Sequence, residues 1–434
     1  MPRISRLFAR EVLDSRGRPT VEVEAWAGEI CGRAIVPSGA STGKAEALEL
    51  RDGDPQRYGG RGVLRAVDHV NSTLGPAILG MEPGDQAAID ARLLEVEGTP
   101  RKTRLGANAV LGASLAAAHL GGALAGLPLY EHFRRLYAAS RATAGLTTEL
   151  RARMPLPMTN MISGGLHAGG NLDFQDILVM PEGAPDYRTG LEWIVRVYEA
   201  LGKRLAKQGY EGRLVGDEGG VGPKLGNNQE ALRFVVDAIA DAELEPGRDL
   251  TLALDVAATH FFEQGSYRLA AEKGKTLSSG AMIDVLESLC DKFPLKSIED
   301  GLAEEDWEGW QELTKRLGSR VQIVGDDLLA TNPQRLAQAV DRKVANAVLV
   351  KVNQVGTLTE TFHTMRLAEL SGYRRVISAR SGETEDTTLA DLAVGVAGDQ
   401  IKIGSIVRSE RLAKYNQLLR IEEQLGSGAL RPPQ

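Results

Sequence analysis

Val321-Gln322-Ile323-Val324-Gly325-Asp326 and Ala347-Val348-Leu349-Val350-Lys351 are apolar runs that each close on a charged residue, with a helical stretch at 333–340 between them. Short runs rich in β-branched residues, bounded by polar ones, read as buried strands. The same unit recurs at 250–255, 295–299, 375–379 and 400–402, and the last members of successive runs stand 44, 27, 25, 28 and 23 residues apart. Helical patterns at 307–317 and 358–370 fill two of the other intervals. Strand plus helix at this spacing is the βα unit of a parallel barrel. Two earlier candidates, 156–162 and 174–180, raise the strand count to eight. The loop between them is too short for a crossover helix, so they should pair antiparallel. Helical segments at 187–208 and 228–242 follow. The expected fold is α/β, an irregular barrel of order ββαα(βα)6 over residues 154–434.

Upstream, the runs 4–13, 20–27 and 30–36 alternate like a small antiparallel meander, with turns at Asp14–Pro19 and Gly28. Helical periodicity takes over from about Gly62, and the Ala- and Leu-rich stretch 108–126 reads as a buried helix. These features define an N-terminal α+β domain at 1–139 and a connector at 140–153. The 434 residues carry 51 Lys+Arg against 58 Asp+Glu, a formal charge of −7. That balance gives no general attraction for nucleic acid or an anionic membrane. The N-terminus is charged and has no signal-peptide pattern, and no stretch approaches the roughly 18 uninterrupted apolar residues of a membrane span. The two cysteines, Cys31 and Cys290, form no CxxC pair, so a reducing cytoplasm is expected.

In such barrels the chemistry gathers at the C-terminal strand ends. Here those ends present Asp255, Glu299, Asp326, Lys351, Arg380-Ser381 and Lys402. Three carboxylates converging on one mouth repel each other unless a cation is present, and hard oxygen ligands suit Mg²⁺. Lys351 and Lys402 sit inside apolar runs. Metal charge and burial should depress the pKa of such a lysine and let it act as a base, or it could pair with an anionic substrate. Three glycine-rich segments could border the mouth. The first, 36–44, has one spacer too few for a P-loop and Ala45 where Ser or Thr is required, which excludes an NTPase. The second, 163–170, carries His167, and the third, 216–220, carries Asp217-Glu218.

The chain resembles enolase over nearly its whole length. The likeness rests on Asp14-Ser15-Arg16-Gly17, the 38–43 loop, 216–220, Ala253-Leu254-Asp255, Ser297-Ile298-Glu299-Asp300, Gly325-Asp326-Asp327, Lys351-Val352-Asn353-Gln354, 380–386 and 409–423. The resemblance implies an N-terminal α+β capping domain and dehydration of 2-phosphoglycerate to phosphoenolpyruvate. It further implies two Mg²⁺ per site, the first on Asp255, Glu299 and Asp326 and the second involving Ser41. Lys351 would be the base, Glu218 the acid at the departing hydroxyl, and His167 and Asp176 further catalytic groups. Arg380 and Ser381 would bind phosphate and Lys402 the substrate carboxylate. A homodimer or higher homo-oligomer is expected.

Several walls of that site depart from the family pattern. Ala379 replaces a histidine before Arg380-Ser381, and Asp176 replaces a glutamate after Gln175. Leu166 replaces a serine, Gly301 a proline, and Ile403–Val407 a Thr-Gly-Ala-Pro-Ala stretch. Retained ligands beside altered walls lead us to expect a modified substrate, such as carboxyphosphonoglycerate going to carboxyphosphonoenolpyruvate. The alternative is ordinary enolase. A non-catalytic binding protein on the same fold is the third reading, and the retained Lys351 and metal ligands argue against it.

Overall fold

A computed structural model describes residues 2–39 and 43–426. Ser41 therefore lies outside the described residues. Three strands, β1 (Arg6–Leu13), β2 (Pro19–Ala27) and β3 (Ile30–Ile35), form an antiparallel sheet in chain order. The buried alternate residues Val21, Val23 and Ala25 of β2 turn toward the core. Helix Ala107–Leu124 covers the sheet. A Cβ on Gly32 would stand 2.1 Å from the Leu120 amide nitrogen, so only glycine admits the helix this closely. This is the one described helix long and apolar enough to cross a membrane, and 83% of it is buried inside the protein.

The second part closes into a barrel. Its strands are β4 (Leu156–Ser163), β5 (Asp176–Met180) and β6 (Thr251–Asp255), then, after an inserted sheet of β7 (Phe262–Glu263), β8 (Ser266–Leu269) and β9 (Lys275–Leu277), β10 (Leu295–Glu299), β11 (Gln322–Gly325), β12 (Ala347–Val350), β13 (Arg374–Ser378) and β14 (Gln400–Gly404). The barrel order is β10-β11-β12-β13-β14-β4-β5-β6. Strand β5 runs antiparallel to both β4 and β6, and the remaining pairs are parallel. Helices Tyr187–Lys207 and Asn228–Asp241 follow β5, each started by a side chain (Asp186, Asn227) that accepts the third amide of its helix. The order is thus ββαα(βα)6, as the spacing predicts.

Period-two alternation divides the strand residues between two cores. Leu156, Met158, Leu178, Met180, Ala253, Val324, Ala347, Leu349 and Val376 fill the barrel interior. Their neighbours Leu254, Ile298, Val348, Val350 and Ile377 pack outward against the helices. The plugged interior confines polar chemistry to the strand ends.

The β7–β9 sheet is absent from the sequence expectation. It fills the 44-residue interval after Asp255, which exceeds every other interval. Helix Leu129–Ala142 runs on through residues 140–142, and 143–153 contains no helix or strand. The N-terminal unit touches the barrel mouth: Ser38 and Gly382 exchange backbone hydrogen bonds of 2.8 and 2.9 Å. A Cβ on Gly382 would meet Asp14 Oδ2 and Arg16 Nη2 at 2.3 Å, so a side chain there would force the two units apart.

Candidate active site

One cavity at the C-terminal strand ends is lined by His167, Glu218, Asp255, Asp326, Lys351, Ala379, Arg380, Ser381 and Lys402. Strand β14 brings up Lys402, whose Nζ donates to Asp255 Oδ2 and Glu299 Oε2, each at 2.7 Å. Burial opposes the charge on Lys402, but these two acids outweigh it and hold its pKa well above the usual value. Asp255 is also buried, yet Lys402 keeps its pKa low. Burial and the neighbouring Asp255 charge push Glu299 well up. Glu299 Oε1 is buried with no hydrogen-bond partner among the described residues. A buried carboxylate oxygen left without a donor suits a cation ligand.

Lys351 follows β12 and bonds Asp326 Oδ2; Gln354 Nε2 donates to Asp326 Oδ1 at 3.0 Å. The sequence leads us to expect a depressed Lys351 pKa. The protein's own charges act the other way: burial lowers it, but Asp326 more than compensates and the pKa is raised. In this charge state Lys351 is an ammonium and must lose its proton before it can act as a base.

Across the barrel, the turn after β4 presents His167. Its Nδ1 donates to Asp176 Oδ2 at 3.1 Å, and Ser163 Oγ donates to Asp176 Oδ1 at 3.0 Å. His167 Nε2 is 3.9 Å from Glu218 Oε1. Burial works against a charged His167, but Asp176 and Glu218 overcome it and raise its pKa to about 9. Burial likewise opposes ionisation of Glu218, but the charges of His167, Arg411, Lys402 and Lys351 bring its pKa down. Asp176 is raised, chiefly by burial.

Arg380 and Ser381 follow β13. Arg380 Nη1 donates to Glu46 Oε2 (3.1 Å) and Asn353 Oδ1 (2.6 Å), and Arg16 Nη1 donates to Ser381 Oγ (3.1 Å). Arg411 Nη1 and Nη2 donate to the carbonyls of Arg380 and Ser381, both at 2.7 Å, which fixes that backbone. Ala379 is buried on the cavity wall, and its amide donates to the Lys402 carbonyl at 2.8 Å.

The described site residues therefore converge, in sub-groups. Two sets of acids and histidine have ligand atoms mutually within 4.8 Å: His167, Asp176 and Glu218, and Asp300, Asp326 and Asp327. The expected trio is arranged otherwise, with lysine ammonium groups bridging Asp255 to Glu299 and capping Asp326. The sequence expectation does not include Glu46, Gln354, Arg411 or Asn160, whose Nδ2 donates to Glu218 Oε2 at 3.3 Å. Asn353, Gln354 and Arg411 lie within stretches that carry the enolase likeness, but nothing local marks Glu46, which acts 334 positions away from its partner.

The fold is thus an irregular eight-stranded barrel with a small α+β unit against its mouth, and the site is a set of carboxylates and lysines gathered at the strand ends. Residues 4–133 match the family described as "Enolase, N-terminal domain" and residues 151–431 "Enolase, C-terminal TIM barrel domain". A curated protein named "Enolase" from Rubrobacter xylanophilus is 51% identical over 433 residues, covering 100% of this chain and 97% of the relative. The chain belongs to the enolase family, and its class of activity is that of a hydro-lyase.

Proposed function

We propose that this protein dehydrates 2-phosphoglycerate to phosphoenolpyruvate, with Mg²⁺, as a cytoplasmic homo-oligomer. The observation that carries the reading is the facing arrangement of two groups in one cavity: Lys351 and Lys402 against acids on one side, the His167–Glu218 pair on the other. Full-length likeness to a curated enolase favours this substrate over a modified one. Asp255, Glu299 and Asp326 would hold the cation, in keeping with the orphaned Glu299 oxygen. Mg²⁺ bound there would offset the charge of the substrate carboxylate and make its α-proton more acidic.

The chain's own groups do the rest. Lys351, once it has given up its own proton to become the neutral amine, takes the α-proton, and Lys402 pairs with the carboxylate. Glu218 delivers a proton to the departing hydroxyl; His167, protonated at neutral pH and 3.9 Å away, is its source. Arg380 and Ser381 hold the phosphate, with their backbone fixed by Arg411.

A second reading, dehydration of carboxyphosphonoglycerate, draws support from Ala379, a small side chain on the wall beside the proposed phosphorus-binding pair. Turnover measured side by side on 2-phosphoglycerate and on that analogue separates the two. Faster turnover of the analogue would overturn the first reading. Absence of activity on both would overturn the hydro-lyase assignment.

A further inference from the structure

Acidic groups crowd the side of the cavity below Gly43 and Lys44. One oxygen from each of Asp300, Asp326 and Asp327 lies within 4.8 Å of the other two. Asp300 accepts the backbone N–H of Asp326 at 2.9 Å and of Asp327 at 2.8 Å, so its carboxylate is committed to holding that turn. Asp326 is taken by Lys351 and Gln354. The Asp327 carboxylate receives no hydrogen bond among the described residues.

A fourth acid, outside that cluster, faces the same space. Glu304 is 5% exposed, and its Oε2 is buried without a partner among the described residues. Among the described residues its other oxygen faces the solvent-exposed Lys44 ammonium, 3.8 Å away. The direction of the two free oxygens follows from Gly43: a Cβ built there would meet Asp327 Oδ1 at 3.6 Å and Glu304 Oε2 at 3.7 Å. Two carboxylate oxygens without donors near one point repel each other, and burial denies the Glu304 oxygen the water that would otherwise solvate it. A cation between them removes both penalties.

We propose that Asp327 and Glu304 bind a hard divalent cation, Mg²⁺, Mn²⁺ or Ca²⁺, with Asp300 and Asp326 at its edge. All-oxygen carboxylate donors select this class of ion. The site uses neither Asp255 nor Glu299 and has only Asp326, at its edge, in common with the cation proposed there. It differs also from the second Mg²⁺ implied by the enolase resemblance, because it forms on the substrate-free chain and uses neither Ser41 nor substrate. The inference is independent of which substrate the enzyme turns over.

The test is a Mn²⁺ titration of the substrate-free full-length protein, with bound ions counted by paramagnetic resonance. The isosteric variants Glu304→Gln and Asp327→Asn should each weaken one Mn²⁺ at least tenfold relative to wild type. Asp255→Asn should weaken a different ion and keep the Glu304-dependent one. Competition by Ca²⁺ and Mg²⁺ ranks the occupants. Unchanged number and affinity of bound Mn²⁺ in both Glu304→Gln and Asp327→Asn would overturn the proposal and leave a proton on Asp327 as the occupant. Loss of one and the same ion in Glu304→Gln and Asp255→Asn would overturn it as well, by showing a single site.

Discussion

Glu46 of the N-terminal domain and Arg380 of the barrel meet at 3.1 Å, with side chains 5% and 4% exposed. Removing one partner from a buried ion pair strands the other charge, at about 3–5 kcal/mol. Here Asn353 still accepts from Arg380, so the lower end applies. Glu46→Gln should lower the thermal midpoint by several degrees, read by calorimetry, and raise KM for the phosphorylated substrate as Arg380 loses its fixed direction. An unchanged midpoint and KM would mean that Glu46 is not what orients Arg380.

Lys351 is the proposed base. Lys351→Ala should lose both product formation and exchange of the α-proton with deuterated solvent, each by at least a thousandfold. Glu218→Gln should block dehydration but retain measurable exchange, because the acid acts after the proton has left. Proton resonance of the substrate follows both. Normal exchange in Lys351→Ala would move the base to Lys402.

Charge removal at Asp326 leaves Lys351 without its carboxylate partner and subtracts one expected metal ligand. Asp326→Asn should abolish dehydration and raise the Mg²⁺ concentration for half-activation beyond reach. Exhaustive chelation of the wild-type protein should stop turnover, and added Mg²⁺ should restore it. Full activity after chelation would remove the metal from the reaction.

The barrel was legible because most of its strands are buried on both faces, which leaves short apolar runs with a charged residue at or just past the end. Strand β10, with an exposed Lys296, is an exception. Strand limits agree within two residues for all eight, and the antiparallel β5 followed from a loop too short to cross over. The β7–β9 sheet was not legible, since Phe262–Glu263 and Lys275–Leu277 are two and three residues long and carry no period. In the site, residues at strand ends were readable, while those defined by distant partners were not. The direction of the Lys351 pKa depends on how Asp326 folds against it, and no local pattern encodes that contact.

His132 gives the fold a dependence on pH. It is 5% exposed, with Nε2 unpartnered among the described residues. Burial, aided by the charges of Arg135 and His119, pushes its pKa down to about 4. The unfolded chain, with an ordinary histidine near 6.5, binds the extra proton first. Stability from this group is therefore complete above pH 6.5 and declines as pH falls toward 4, by up to about 3 kcal/mol. Urea unfolding at pH 7.5 and 4.5 should show a smaller acid loss in His132→Phe than in wild type. Equal losses would assign the acid sensitivity elsewhere.

Substitution at Ala379 separates the two proposed substrates. Its amide is tied to the Lys402 carbonyl and its neighbours are Ser378 and Arg380, so the backbone is fixed and a new side chain must enter the cavity. An imidazole there would occupy space beside the groups proposed to hold phosphorus. If the wild-type chain takes a carboxylate on phosphorus into that space, Ala379→His should cut kcat/KM for the carboxyphosphono analogue at least tenfold, about 1.4 kcal/mol of transition-state binding. The same change should raise kcat/KM for 2-phosphoglycerate, because a solvent-filled gap would be replaced by a donor. Asp176 limits that gain, since its carboxylate is one methylene shorter than the residue the family pattern carries and is already engaged by Ser163 and His167. For an ordinary enolase the expected result differs: efficient 2-phosphoglycerate turnover in wild type, none on the analogue, and less than a threefold change in Ala379→His. Steady-state kinetics of both proteins on both substrates distinguishes the outcomes, and Ala379 selects the substrate only if the two kcat/KM values move in opposite directions.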